Sequence, residues 1–155
     1  PFLYRGDLDP RLPNRARVLG IAVGDETLAV PYDALAGEAA AGEWASASVR
    51  VGGRPIAVFW KDGAASALDT PAIPEGTVVG AAAAFEATAG LTFRATPGGP
   101  IDRQTGSSWN LFGEAVSGPL RGARLRRAPA IESFWFMWAA FHPDTAIWRP
   151  GDADP

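Results

Sequence analysis

Val18-Leu-Gly-Ile-Ala-Val23, then Gly24-Asp25, then Thr27-Leu-Ala-Val30 with Pro31 behind it, is the stretch that sets the fold class. Two short apolar runs around a Gly-Asp turn spell a β-hairpin, because each run is too short for a stable helix and Gly accepts the turn backbone. A second hairpin is predicted from Val49-Arg-Val51, the turn Gly52-Gly53, and the run Pro55-Ile-Ala-Val-Phe-Trp60. Ser66–Leu68, Thr77–Val79, Ala83–Phe85 and Leu91–Phe93 are further short strand candidates, punctuated by Gly and Pro. Tyr32 to Ala41, rich in Ala and Leu, predicts one or two helical turns.

The strong helix candidate is residues 131–142, with Ser133 as a candidate cap and Pro143 as its stop. Many short strands and one C-terminal helix predict an α+β, mainly β domain of antiparallel strands and hairpins. The division expected is an extended Pro- and Arg-containing arm over 1–17, a single domain over 18–149, and a short tail over 150–155. The 18 Gly and 14 Pro among 155 residues favour such a chain of short elements over long helices.

Composition excludes several classes of function. A net charge of −3 argues against a nucleic-acid binder, which carries a basic footprint. The absence of Cys removes disulfides, thiolate metal sites and a cysteine nucleophile together. No apolar run approaches the roughly 20 residues that span a bilayer, and no export signal opens the chain at Pro1. An anchor or leader ahead of Pro1 remains compatible with that.

The most specific motifs lie in the last third: Asp102-Arg-Gln-Thr-Gly106, then Ser107-Ser108-Trp109, Gly113-Glu114, Gly118-Pro119-Leu120 and His142-Pro-Asp-Thr145. In that order and spacing they resemble the bacterial and archaeal family known as domain of unknown function 3179. Val51-Gly52-Gly53 and Pro55–Val58 resemble its central hairpin, so the motifs extend over about Val18 to Trp148.

The resemblance also marks two departures. After the central hairpin the family typically reads Tyr-Cys-Pro-Leu-Cys-Gly-Ser, whereas this chain places Lys61 and Ala64 at the two Cys positions. The family's Trp-His-Glu before that hairpin corresponds to Gly42-Glu43-Trp44-Ala45, which has no His. If those groups form a metal or redox site, the resemblance implies a degenerate member with no cofactor, no metal and no enzymatic activity. The second departure is a gain of apolar surface. Phe134-Trp-Phe-Met-Trp-Ala-Ala-Phe141 holds no charged or polar residue, although the family's segment usually alternates Trp with charges. Trp135 and Trp138 match the inward positions, while Met137 and Phe141 stand where charges are expected. An apolar stretch of this kind must be covered by its own core, a partner or lipid.

These features predict an extrinsic, non-enzymatic subunit that docks on a membrane protein complex. Its interface would use Phe134, Phe136, Met137 and Phe141, the N-terminal arm, and the basic residues Arg124, Arg126 and Arg127, which also suit contact with a membrane surface. Placement outside the cytoplasm, in the periplasm or at the cell surface, follows from the resemblance, whose members often carry export signals. A different class is a module for a small polar ligand or carbohydrate, built from Asp102, Trp109 and His142. A third is a hydrolase using His142 as base, although Gly106-Ser-Ser-Trp109 lacks the elbow that exposes a nucleophilic Ser. The plainer reading of Asp102-Arg-Gln-Thr is a polar turn bonded to its own backbone, and of the Arg cluster a solvated strand edge.

Overall fold

The runs on either side of Gly24-Asp25 form strands β1 (Arg17–Val23) and β2 (Glu26–Pro31), antiparallel, with Val23 opposite Glu26. In the computed structural model, which describes residues 8–39, 43–63, 80–87 and 90–151, Pro31 ends β2 and a short helix follows, α1 (Tyr32–Gly37). The second hairpin is β3 (Trp44–Val51) and β4 (Arg54–Lys61). Its Gly52-Gly53 turn has φ of 59° and 77°, and a Cβ on Gly52 would lie 2.6 Å from a Val23 methyl, so only Gly fits there. Then come β5 (Ala81–Glu86), β6 (Phe93–Thr96), β7 (Gly99–Asp102), β8 (Ser108–Trp109), β9 (Ala115–Ser117), β10 (Ala130–Phe134), α2 (Trp135–Phe141) and β11 (Ala146–Ile147).

These strands make three sheets of orders β10-β1-β2-β11, β3-β4-β5 and β6-β7-β8-β9. All pairings are antiparallel except β11 on β2. The period of two along β4 explains how the sheets stack. Ile56, Val58 and Trp60 enter a core shared with Leu19, Ile21, Val30 and Leu35, while Ala57 and Phe59 enter one shared with Phe85, Phe93 and Trp109. The β3-β4-β5 sheet is therefore the middle layer, buried on both faces. The protein is an α+β, mainly β domain.

On the outer face of the first sheet, Val18 and Ala29 pack with Trp135, Trp138 and Ala139. Gly20 makes the seat: a Cβ there would fall 2.4 Å from the Trp138 ring. Residues 8–16 lie over the same helix. Trp135 Nε1 donates to the Asp9 carbonyl at 3.0 Å, Arg11 donates to the Thr145 carbonyl at 2.9 Å, and the Arg11 guanidinium sits 5.3 Å from the Trp135 ring centre. The described part of the arm thus packs on its own domain.

Three expectations need correction. The C-terminal helix begins at Trp135, not at 131, because Ala130–Phe134 pairs with β1 as a strand. Ser133 does not cap it: Phe134 is the N-cap, and the Ser133 hydroxyl donates to the Phe134 carbonyl. The strand expected from Leu91 starts at Phe93. The strands expected at 66–68 and 77–79 lie outside the described residues, as do Ala64, Gly42, residues 1–7 and most of the tail. Among the described residues, no helix is long and apolar enough to cross a membrane.

Candidate functional site

Asp102 ends β7 and is fully buried, as is Ser107. Its carboxylate accepts the Thr105 amide at 2.6 Å and hydroxyl at 2.8 Å through Oδ1, and the Trp109 indole N–H at 2.8 Å through Oδ2. The Thr105 and Ser107 hydroxyls are 2.7 Å apart, and Ser107 Oγ accepts the Leu120 amide. Burial pushes the Asp102 pKa up, but the bonds from Trp109 and Thr105 outweigh it and hold the carboxyl below its ordinary value. The Asp-x-x-Thr-Gly-Ser-x-Trp spacing is accordingly a knot that ties β7 to β8 and to the turn at Leu120. Trp109 meets Phe93 edge-on, with centroids 5.6 Å apart, and is no open stacking floor.

His142 closes α2, its ring 4.1 Å from that of Trp138, and its amide donates to the Trp138 carbonyl. Trp138 and Trp109 belong to separate cores on different layers, so the structure does not gather Asp102, Trp109 and His142. Thr145 Oγ1 accepts the Trp138 indole N–H at 3.0 Å, which gives the closing His-Pro-Asp-Thr a packing role around that ring.

The two stretches that the resemblance marks as vacated are neighbours. Trp44 opens β3 directly opposite Lys61 at the end of β4, the Asp62 amide donates to the Glu43 carbonyl at 2.7 Å, and the Lys61 ammonium stands 5.4 Å from the Trp44 ring centre. Among the described residues, no three His, Cys, Asp or Glu side chains converge as a metal would require.

Of the expected interface residues, Phe134, Met137 and Phe141 are exposed and Phe136 is half-buried, its ring stacked at 6.3 Å on that of Phe134. Ile131, on the neighbouring edge strand, is exposed too. Arg124, Arg126 and Arg127 are exposed on a segment that covers β5: the Glu86 amide donates to the Arg126 carbonyl and Ala128 to the Ala84 carbonyl. Arg124 is ion-paired with Glu114.

Motif reasoning missed one feature. A cavity of about 280 Å³ beside strands β3 and β6 is lined by Arg94, Arg103, Ser46, Ser48, Glu38 and Trp148. No spacing announces it, since its parts come from five separate segments of the chain; only the β6–β7 register, which follows from the Pro97-Gly98 turn, places the two Arg together.

What these features define is a small three-sheet domain in which Asp102, Thr105, Trp109 and Thr145 take part in packing and turn formation. The chain belongs to the family described as protein of unknown function (DUF3179), whose model matches residues 1–145. The match includes the segment before Val18, which the motifs alone do not reach. No curated protein and no solved structure matches the chain.

Proposed function

We propose that this protein is a non-enzymatic interaction domain, an extrinsic subunit that docks on a membrane protein complex outside the cytoplasm. The observation that carries the reading is the outer ridge of β10 and α2, where Ile131 is 59%, Met137 46% and Phe141 75% exposed while the opposite side of α2 is sealed. Covering a large apolar side chain contributes roughly 1.5–3 kcal/mol before association costs, so three or four of them supply a useful anchor. Isolated exposed apolar residues are ordinary, but neighbouring ones on one ridge mark contact surfaces. Arg126 and Arg127, just ahead of β10, add positive charge beside it, suited to an acidic partner surface or anionic headgroups.

The non-enzymatic reading is supported by what surrounds the candidate catalytic groups. Ser107 is buried and bonded to Thr105, which leaves His142 without a reachable nucleophile there. The extracytoplasmic placement rests on family resemblance.

The test is the double substitution Met137→Glu with Phe141→Arg. The purified variant should keep the wild-type melting temperature and lose the partner that the wild-type chain retains when purified from solubilised membranes. Retention of the same partner, or an unfolded variant, would overturn the reading.

A further inference from the structure

The β6–β7 ribbon carries two arginines that no carboxylate among the described residues answers. Arg94 faces Ile101 across the ladder, and Arg103 lies two residues beyond Ile101, its amide bonded to the Thr92 carbonyl at 2.8 Å. Cross-strand partners and residues two apart share a face, so both guanidiniums project from the same side of the ribbon as diagonal neighbours, about 7–8 Å apart at the backbone. Like charges so placed repel unless something neutralises them. The ribbon's one carboxylate, Asp102, lies on the opposite face and is taken by Trp109 and Thr105. Among the described residues neither arginine has a hydrogen-bond or ion-pair partner, whereas Arg11, Arg54 and Arg124 each find a carboxylate.

Both arginines line the 280 Å³ cavity, and polar residues of β3 and of the segment after α1 line it with them. Ser46 and Ser48, two apart on β3, present hydroxyls on the side away from the main core that Ala47 enters. Glu38, just past α1, lies at the same cavity, so the pair of cations is offset by a single carboxylate. We propose that this cavity binds a small hydroxylated organic anion. The phosphate or carboxylate of that ligand is held between Arg94 and Arg103, and its hydroxyls are met by Ser46, Ser48 and Glu38. Planar guanidiniums grip oxyanions in two-point fashion, and a carboxylate acceptor suits hydroxyl donors at the far end. A volume of this size takes a single sugar acid or sugar phosphate, not a polymer.

The inference goes beyond docking and uses none of its residues. Titration of the whole protein with glucuronate, glucose 6-phosphate, glucose and inorganic phosphate, followed by calorimetry, tests it and separates a carboxylate from a phosphate source. Saturable binding of at least one sugar anion, with glucose silent, is expected. Arg94→Gln and Arg103→Gln should each weaken it at least about tenfold with unchanged melting temperature, and Glu38→Gln should weaken the sugar anion but not inorganic phosphate. The Met137→Glu, Phe141→Arg variant should bind as the wild type does, so this result stands or falls apart from the docking result. No saturation by either sugar anion, binding that survives loss of both arginines, or equal binding of inorganic phosphate alone would overturn the proposal.

Discussion

The Lys61 ammonium stands 5.4 Å from the centre of the Trp44 ring, across the last rung of the β3–β4 ladder. By the family resemblance, Lys61 stands at a Cys position and Trp44 lies in the stretch that would hold a His. Here a cation rests on an aromatic face, an arrangement that repels a second cation and offers no soft donor.

Purified protein is therefore expected to hold no stoichiometric copper, zinc or iron, and a chelator should leave its melting temperature unchanged. Elemental analysis decides the first point and calorimetry the second. Lys61→Ala should cost about 0.5–1 kcal/mol, the ordinary value of a cation–aromatic contact.

Asp102→Ala should destabilise the domain by about 3 kcal/mol, because the Trp109 indole and the Thr105 amide lose their acceptor inside a packed layer. The pH sign follows from the lowered pKa. Unfolded, Asp102 binds its proton more readily than when folded, so its contribution is present above the ordinary carboxylate range and is lost as pH falls through the folded value. Asp102→Asn should flatten that acid limb in a series of denaturant titrations below about pH 4.

Gly20→Ala places a methyl where the Trp138 ring sits, and should cost about 1–3 kcal/mol through displacement of the ring. The near-ultraviolet circular dichroism band from Trp should change with it, while the far-ultraviolet strand signal stays.

Deletion of residues 1–16 removes the carbonyl that receives the Trp135 indole and uncovers that ring. The melting temperature of the isolated domain should fall by several degrees, as for a loss of about 2 kcal/mol in a domain of this size. An unchanged melting curve would show that the arm contributes nothing to its own domain.

His142→Ala should cost about 1 kcal/mol through the lost contact with Trp138 and change no reaction rate. A hydrolytic rate that collapses in this variant while the fold persists would restore the enzyme reading.

The hairpins were legible because runs such as Val18–Val23 and Pro55–Trp60 are bounded by Gly-Asp and Gly-Gly, which tolerate few conformations other than turns. The polar turn at Asp102 was legible for the same local reason. What the sequence hid was decided at a distance. Ala130–Phe134 is a strand because β1 offers it a ladder, though nothing in Ile131-Glu-Ser-Phe distinguishes it from the helix it adjoins. The Arg94–Arg103 pair is nine residues apart in the chain and acquires meaning only through register. The arm's commitment to Trp135 is likewise a tertiary contact between distant segments, with no pattern to betray it.

Strand β4 feeds two cores at once, Ile56, Val58 and Trp60 to one side and Ala57 and Phe59 to the other. Neither outer sheet can peel away without exposing one face of that strand, and the strand cannot leave without dissolving both. Its amide protons should be the last in the protein to exchange with heavy water, at a rate set by whole-molecule opening alone, while those of α2 and β11 escape through smaller, local excursions. Exchange would then sort the layers by depth: a resident middle that reports the stability of everything, and a surface that opens on its own schedule.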